Sequence, residues 1–285
     1  MTESKIQIFN HLKIHTQYSI CEGASKIDDL KEFSKNHKLK SLGICDTSNL
    51  CGALEFSEKI SKIGTQPIIG TLINFKYNDT IGLLPLFALN EQGYKRIIEL
   101  SSKSFLKNSG LLDPHLNFDE LLINNEGVAI FSGTVFGLFG SLFDKGKISE
   151  ISELYSKLRS KFNNRFYIEI QRHGDLNETN FEKFNLGQST KLEIPLIATN
   201  EVFYLNKDMY EAHDALMCIK NKTYINEKNR LKLSDQHYFK SNKEMSELFS
   251  DIPEALENNF NFPFRCSFKP SFSKPILPNI SSEKS

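Results

Sequence analysis

The 285-residue sequence has no tryptophan, no net charge and no long apolar run. Thirty-five lysines and arginines balance thirty-five aspartates and glutamates. That balance argues against holding nucleic acid by bulk electrostatics, although a local patch is not excluded. The most apolar segment, Ala129 to Phe143, is interrupted by Gly133, Gly137 and Gly140 and is too short to span a bilayer. Those glycines follow neither the G-x-G-x-x-G nor the G-K-[ST] order of a phosphate loop. Cysteine is scarce: Cys21, Cys45, Cys51, Cys218 and Cys266 are odd in number and form no C-x-x-C pair. Neither a disulfide framework nor a zinc ribbon is expected, and reduced thiols suit a cytoplasmic location. Met1 to Gln7 are polar and carry no signal-peptide core. What is present is globular: 39% hydrophobic and 25% charged residues, enough for a full-sized core without covalent staples.

Seven short apolar, β-rich runs bounded by turn residues read as strands: Ile6–His15, Ser41–Asp46, Pro67–Phe75, Gly82–Leu89, Gly127–Ser132, Phe166–Arg172 and Ile194–Asn200. Most are separated by stretches of helical periodicity, such as Ile27, Leu30 and Phe33, or Ile151, Leu154 and Leu158. Strand–helix alternation predicts an α/β fold with parallel strands and right-handed crossovers. Seven strands suit a closed or nearly closed barrel better than an open sheet. Lys76–Ile81 joins the third and fourth strands too briefly for a crossover and reads as a hairpin. After Asn206 the texture changes. Asp208–Ile219, Lys243–Phe249 and Pro253–Asn259 read as a helical extension over about residues 207–262. The Pro- and Ser-rich remainder, 263–285, reads as a tail or linker.

In parallel α/β barrels the chemistry gathers at the C-terminal ends of the strands. Alternation along the first strand puts His11, Lys13 and His15 on one face and Leu12 and Ile14 on the other. His15 reads equally as a hydrogen-bonded barrel histidine and as a ligand. Asp46-Thr47-Ser48-Asn49 reads first as a helix start, capped by Thr47 or Ser48. His173-Gly174-Asp175 reads as a turn. His37, His115 and His237 fall in polar segments and read as surface groups. The twenty-three phenylalanines read as core rather than as a base-stacking platform.

Several ordered blocks are specific: "FNHLKIHTQYSICEGASKI", "LGICDTSNLCGALEFSEKI", "QPIIGTLINF", "ALNEQGYKRIIELSSKSF", "RFYIEIQRHGDLNE", "IPLIATNEVFYL" and "EAHDALMCIKNKTYINEKNRLKL". From about Phe9 to Cys266 the chain resembles the N-terminal polymerase-and-histidinol-phosphatase (PHP) domain of the bacterial DNA polymerase III alpha subunit. The resemblance implies a distorted seven-stranded (β/α)7 TIM-like barrel with a short C-terminal helical extension. Family members with an intact site hold up to three divalent ions on about nine ligands and hydrolyse phosphoesters, some as 3′–5′ exonucleases.

Carried over position by position, that ligand pattern is degraded. Its H-x-H becomes Lys13-Ile14-His15, and its acidic ligand matches Glu22. Its next histidine is Thr47, its third-strand glutamate Leu72, its fourth-strand histidine Leu83 and its cysteine Thr134. Its final Asp-x-His is Glu201-Val202-Phe203. The resemblance therefore implies vestigial metal positions, no catalytic residue and no required cofactor. At most one weakly held zinc, manganese or magnesium ion is expected, on His15, Glu22 and Glu201. Lys13 is expected to pair with Glu201, Asp46 or Glu22 in place of metal. The implied role is a silent scaffold for the remaining polymerase domains and a docking surface for the proofreading exonuclease subunit, meeting DNA only through the whole polymerase and no membrane. The family's polymerase carboxylates lie in a palm beyond this region, so a chain ending at Ser285 is expected not to polymerise alone. The alternatives are a metal-dependent phosphoesterase or 3′–5′ exonuclease with a reduced site, and an unrelated barrel enzyme acting on a sugar or phosphorylated small molecule.

Overall fold

The computed structural model describes residues 8–107 and 113–274. Its elements in chain order are β1 (Lys13–Ile14), α1 (Ile27–Asn36), β2 (Ser41–Thr47), α2 (Ala53–Ser61), β3 (Gln66–Tyr77), β4 (Thr80–Ala88), α3 (Glu91–Leu106), β5 (His115–Asn117), β6 (Val128–Phe131), α4 (Leu138–Asp144), α5 (Ile148–Phe162), β7 (Phe166–Ile170), α6 (Glu178–Leu192), β8 (Leu196–Ala198), β9 (Glu201–Val202), α7 (Tyr210–Asn221), α8 (Asn242–Leu248) and α9 (Pro253–Asn261).

Hydrogen bonds trace a circuit of seven staves. The order β2-β3-β4-β6-β7-β8 is one continuous sheet. β9 continues β8 after two residues and pairs in parallel with β1, Lys13 opposite Glu201. The Gly43 amide donates to His11 O at 2.8 Å and closes the circle onto β2. The pairs β2–β3, β6–β7 and β7–β8 are parallel, whereas β4 is antiparallel to both β3 and β6. This reversal follows from the tight Tyr77–Thr80 hairpin, whose Asn78 adopts a left-handed φ of 52°, a conformation asparagine tolerates better than most residues. The mixed α/β, TIM-like barrel expected from the sequence is thus present.

Alternation along the staves sorts the core. Leu12, Cys45, Ile68, Leu72, Phe87, Ala129, Phe131, Tyr167 and Ile197 fill the barrel interior. Residues on the outward faces, such as Ile73, Leu86, Ile130 and Ile168, pack with Ile97, Leu154 and Phe181 of the surrounding helices. A separate outer cluster joins Ile44 and Ile69 to Ile27, Leu30 and Phe56 of α1 and α2. Among the described residues no helix is long and apolar enough to cross a membrane.

Four expectations change. The first strand is regular only at Lys13–Ile14, and Ile6 and Gln7 of the expected strand lie outside the described residues. Because alternation holds only there, Leu12 enters the interior and His11 does not share a face with Lys13 and His15. His11 instead packs between Phe9 and Phe239, at centroid distances of 5.1 and 3.8 Å. The seventh strand breaks at Thr199–Asn200. The unforeseen β5 pairs with the far end of β3; it is three residues long and carries no apolar run. Finally, packing continues beyond residue 262. A 3-10 turn, Phe262–Arg265, inserts Phe262 against Phe87, Phe131 and Tyr167 at 5.5, 5.1 and 5.9 Å. Cys266 is buried in the same cluster and the Ser267 amide donates to Leu89 O at 2.8 Å. Residues 275–285 of the expected tail lie outside the described residues.

Candidate functional site

The barrel mouth opens onto a cavity of about 170 Å³. Lys13, His15, Thr47, Leu72, Leu83, Thr134, Glu201 and Phe203 all line it. Leu83 reaches the mouth from the beginning of its strand because β4 is reversed. Glu22 stands behind Thr47, whose hydroxyl donates to Glu22 Oε2 at 2.5 Å. Sequence positions spread over nearly two hundred residues are therefore neighbours.

The centre of the site is an ionic one. Lys13 is fully buried, and its Nζ lies 3.1 Å from Glu169 Oε1 and 3.3 Å from Glu201 Oε1. Burial opposes the charge on Lys13, but Glu169 and then Glu201 outweigh it and hold the ammonium above its ordinary pKa. Burial likewise works against ionised Glu201; Lys13 first and His15 next overcome it and hold the carboxyl well below the usual carboxylate range. Glu169 also accepts from Gln171 Nε2 at 2.8 Å and from the Thr199 hydroxyl. His15 Nε2 lies 3.1 Å from Glu201 Oε1, and its Nδ1 3.2 Å from Ser19 Oγ and 3.9 Å from Glu22 Oε2. Phe203 stacks on the His15 ring at 4.3 Å. Glu22 is paired with Lys220. Burial raises the Glu22 pKa, but His15 and Lys220 bring it below its ordinary value.

Of the partners expected for Lys13, only Glu201 is found. Asp46 is occupied elsewhere: it accepts from Thr16 N at 2.7 Å, Thr16 Oγ1 at 2.8 Å and Ser19 Oγ at 2.7 Å, and so pins the loop that follows β1. The expected cap at Thr47 or Ser48 is also absent, because α2 begins at Ala53 and Gly52 precedes it without a side-chain cap.

Glu169 was missed, although a sequence signal existed. Alternation along β7 places Tyr167, Glu169 and Gln171 on the face opposite Phe166, Ile168 and Ile170, so a carboxylate had to point inward.

A second cluster lies beside the mouth and corrects two readings. His237 is not a surface group but 1% exposed, and His173-Gly174-Asp175 is more than a turn. His237 Nε2 lies 2.9 Å from Asp175 Oδ2, and the His173 and His237 rings stack 4.0 Å apart. Burial, then the neighbouring His237 and Lys240, drives the His173 pKa far below its ordinary value. His237 gave no local signal, because its place comes from long-range pairing: Tyr238 bridges Tyr204, and the Phe203 amide donates to His237 O at 3.0 Å. His37 is exposed, as expected; His115 is half-buried on β5.

Against known proteins, the PHP domain family matches residues 11–173. The chain belongs to the PHP domain family. Its curated relatives include the DNA polymerase III subunit alpha of Caulobacter vibrioides, 34% identical over 293 residues, which covers 98% of this chain and 25% of that protein. The same subunit of Rickettsia conorii is 36% identical over 279 residues, covering 96% and 23%. That of Vibrio cholerae is 31% identical over 276 residues, covering 95% and 24%. This PHP domain thus spans about a quarter of the length of these relatives. A solved structure from Bifidobacterium adolescentis, described as a metal-dependent phosphoesterase, superposes with a TM-score of 0.37 and 12% identity over 68% of this chain and 86% of that one. A likeness of that size carries no argument about this PHP domain.

Proposed function

We propose that this PHP domain is a catalytically silent part of a replicative, DNA-directed DNA polymerase of the cytoplasm. In this reading it supports the remaining polymerase domains and offers a docking surface to a proofreading exonuclease subunit. DNA is met only through the whole nucleotidyltransferase. The observation that carries the reading is the Lys13 ammonium, 3.1 Å from Glu169 and 3.3 Å from Glu201 at the centre of the mouth.

An ion cluster needs several electron-pair donors around each ion. Here Leu72, Leu83 and Phe203 donate none, and Thr47 is engaged by Glu22. Lys13 already offsets one of the two negative charges of Glu169 and Glu201. A second cation about 4 Å away would meet a repulsion of about 4 kcal/mol per unit charge at an effective dielectric near 20. The residues present do not fit a multi-ion cluster. A second reading keeps a single ion and a reduced phosphoesterase or 3′–5′ exonuclease activity. It is favoured by His15 lying 3.1 Å from Glu201 and 3.9 Å from Glu22.

The test is hydrolysis of a chromogenic phosphodiester and of a 3′-ended single strand with manganese or zinc added. The silent reading expects no turnover above the metal blank and co-elution with the exonuclease subunit. Turnover abolished by His15→Ala establishes the second reading instead.

A further inference from the structure

We infer that His173, Asp175 and His237, joined by Glu178, form a binding site for one divalent cation of the zinc class, beside the mouth and separate from it. One potential ligand atom from each of the first three lies within 4.8 Å of the other two. Glu178 Oε1 lies 3.4 Å from His173 Nδ1. The two histidines are 1% exposed each, and mixed imidazole and carboxylate donors are the set zinc takes.

The positions of the protons decide what the cluster can hold. His237 Nδ1 lies 3.1 Å from the carbonyl oxygen of Glu201, which only accepts, so this nitrogen carries the proton. Its Nε2 then turns a lone pair toward Asp175 Oδ2 at 2.9 Å. In the neutral ring two acceptors then face each other. His173 repeats the pattern. Its Nε2 lies 3.1 Å from Asn200 Oδ1. That atom is the amide oxygen, because Asn200 Nδ2 donates to Tyr238 O at 2.9 Å and Lys240 Nζ donates to Oδ1 at 3.1 Å. The Glu201 amide N–H also donates to this nitrogen at 3.2 Å. His173 Nδ1 is buried with no hydrogen-bond partner, and the Glu178 carboxylate lies beside it.

Extra protons are a poor remedy. Two imidazolium rings would stack 4.0 Å apart at an interplanar angle of 6°, next to the Lys240 ammonium, and like charges so close repel. One divalent ion engages His237 Nε2, the unpartnered Nδ1 of His173 and both carboxylates at once. Each histidine also has an acceptor on its other nitrogen, Glu201 O for His237 and Asn200 Oδ1 for His173, the outer support that metal-bound imidazoles use. Closing on an ion at about 2.0–2.2 Å requires the stacked rings to splay slightly. With four protein ligands and no open position, the ion would be structural. It would staple the turn between β7 and α6 to the segment 234–240, where Ser234 N already donates to Asp175 Oδ1 at 3.0 Å.

The test strips the full chain with a chelator and titrates it with Co2+, reading the visible absorption of the bound ion, then displaces it with Zn2+ and repeats the thermal melt. Expected are one Co2+ per chain with the intense bands of tetrahedral coordination, a higher melting temperature with Zn2+, and unchanged binding in His15→Ala. Asp175→Asn and His237→Gln, each checked for a wild-type metal-free fold by circular dichroism, should bind at least about tenfold more weakly. No stoichiometric binding by the wild type overturns the inference. So does an ion lost in His15→Ala but kept in Asp175→Asn; that pattern places the ion in the mouth and counts against the silent reading as well.

Discussion

Lys13 holds two buried carboxylates together, and its removal would leave Glu169 and Glu201 without their cation. Lys13→Met keeps the apolar stem and deletes the charge. Urea denaturation at neutral pH should show a loss of about 3–5 kcal/mol; an unchanged midpoint would show that the ammonium does not hold the mouth together. The sign with pH follows from Glu201, whose pKa in the folded chain lies below its ordinary value. Its stabilising contribution is complete above the unfolded pKa, about 4.3, and is lost as pH falls through the folded one. Buried histidines add a second acid sensitivity. Burial pushes His11 down to about 3 and His213 down to about 4. Unfolded, each takes up a proton near pH 6.5, so the unfolded state binds more protons and stability falls below that pH by up to about 1.4 kcal/mol per pH unit for each group. Between pH 6.5 and 4.5 the His11→Gln variant should lose stability less steeply than the wild type; parallel curves would contradict this account. Among the positions lining the mouth, His15, Thr47, Thr134 and Glu201 were legible at the ends of expected strands, whereas Leu83 and Phe203 came only through the resemblance to the PHP family. Glu169 was legible by alternation. His237 was not, since no local pattern announces a residue placed by a pairing with Tyr204 and Phe203 some thirty residues earlier.

Among the elements, the junction of β1 with β2 is the seam that turns a sheet into a ring, and Gly43 makes it possible. A Cβ built there would lie 2.6 Å from Leu12 O and 2.7 Å from Leu12 Cα. Gly43→Ala must push the two strands apart. Overpacking of this kind costs about 1–3 kcal/mol, and the amide at position 43, bonded to His11 O in the wild type, should exchange with solvent faster. Unaltered exchange there would mean that the seam is not close-packed. Strand cores were legible as apolar runs, and the hairpin as a connection too short for a crossover. Two boundaries were hidden by side-chain chemistry. Asp46 resembles a helix-start residue, yet it is consumed by Thr16 and Ser19, and α2 starts seven residues later. The seventh strand looks continuous in sequence but breaks where the Thr199 side chain bonds Glu169 and the Asn200 amide bonds Tyr238 O.

On the scale of the whole molecule, one end of the barrel is filled by Phe262 and Cys266, whereas the other opens onto a cavity that Lys13 and Glu201 of the buried ion network line together with Leu72, Leu83 and Phe203. The chain covers about a quarter of its polymerase relatives. The most direct measurement is an anomalous difference map from crystals grown with manganese and zinc. The account predicts no peak at bonding distance from His15, Glu22 or Glu201, with Lys13 Nζ in density between Glu169 and Glu201. Two or three peaks within that mouth, each coordinated by those side chains, would contradict it.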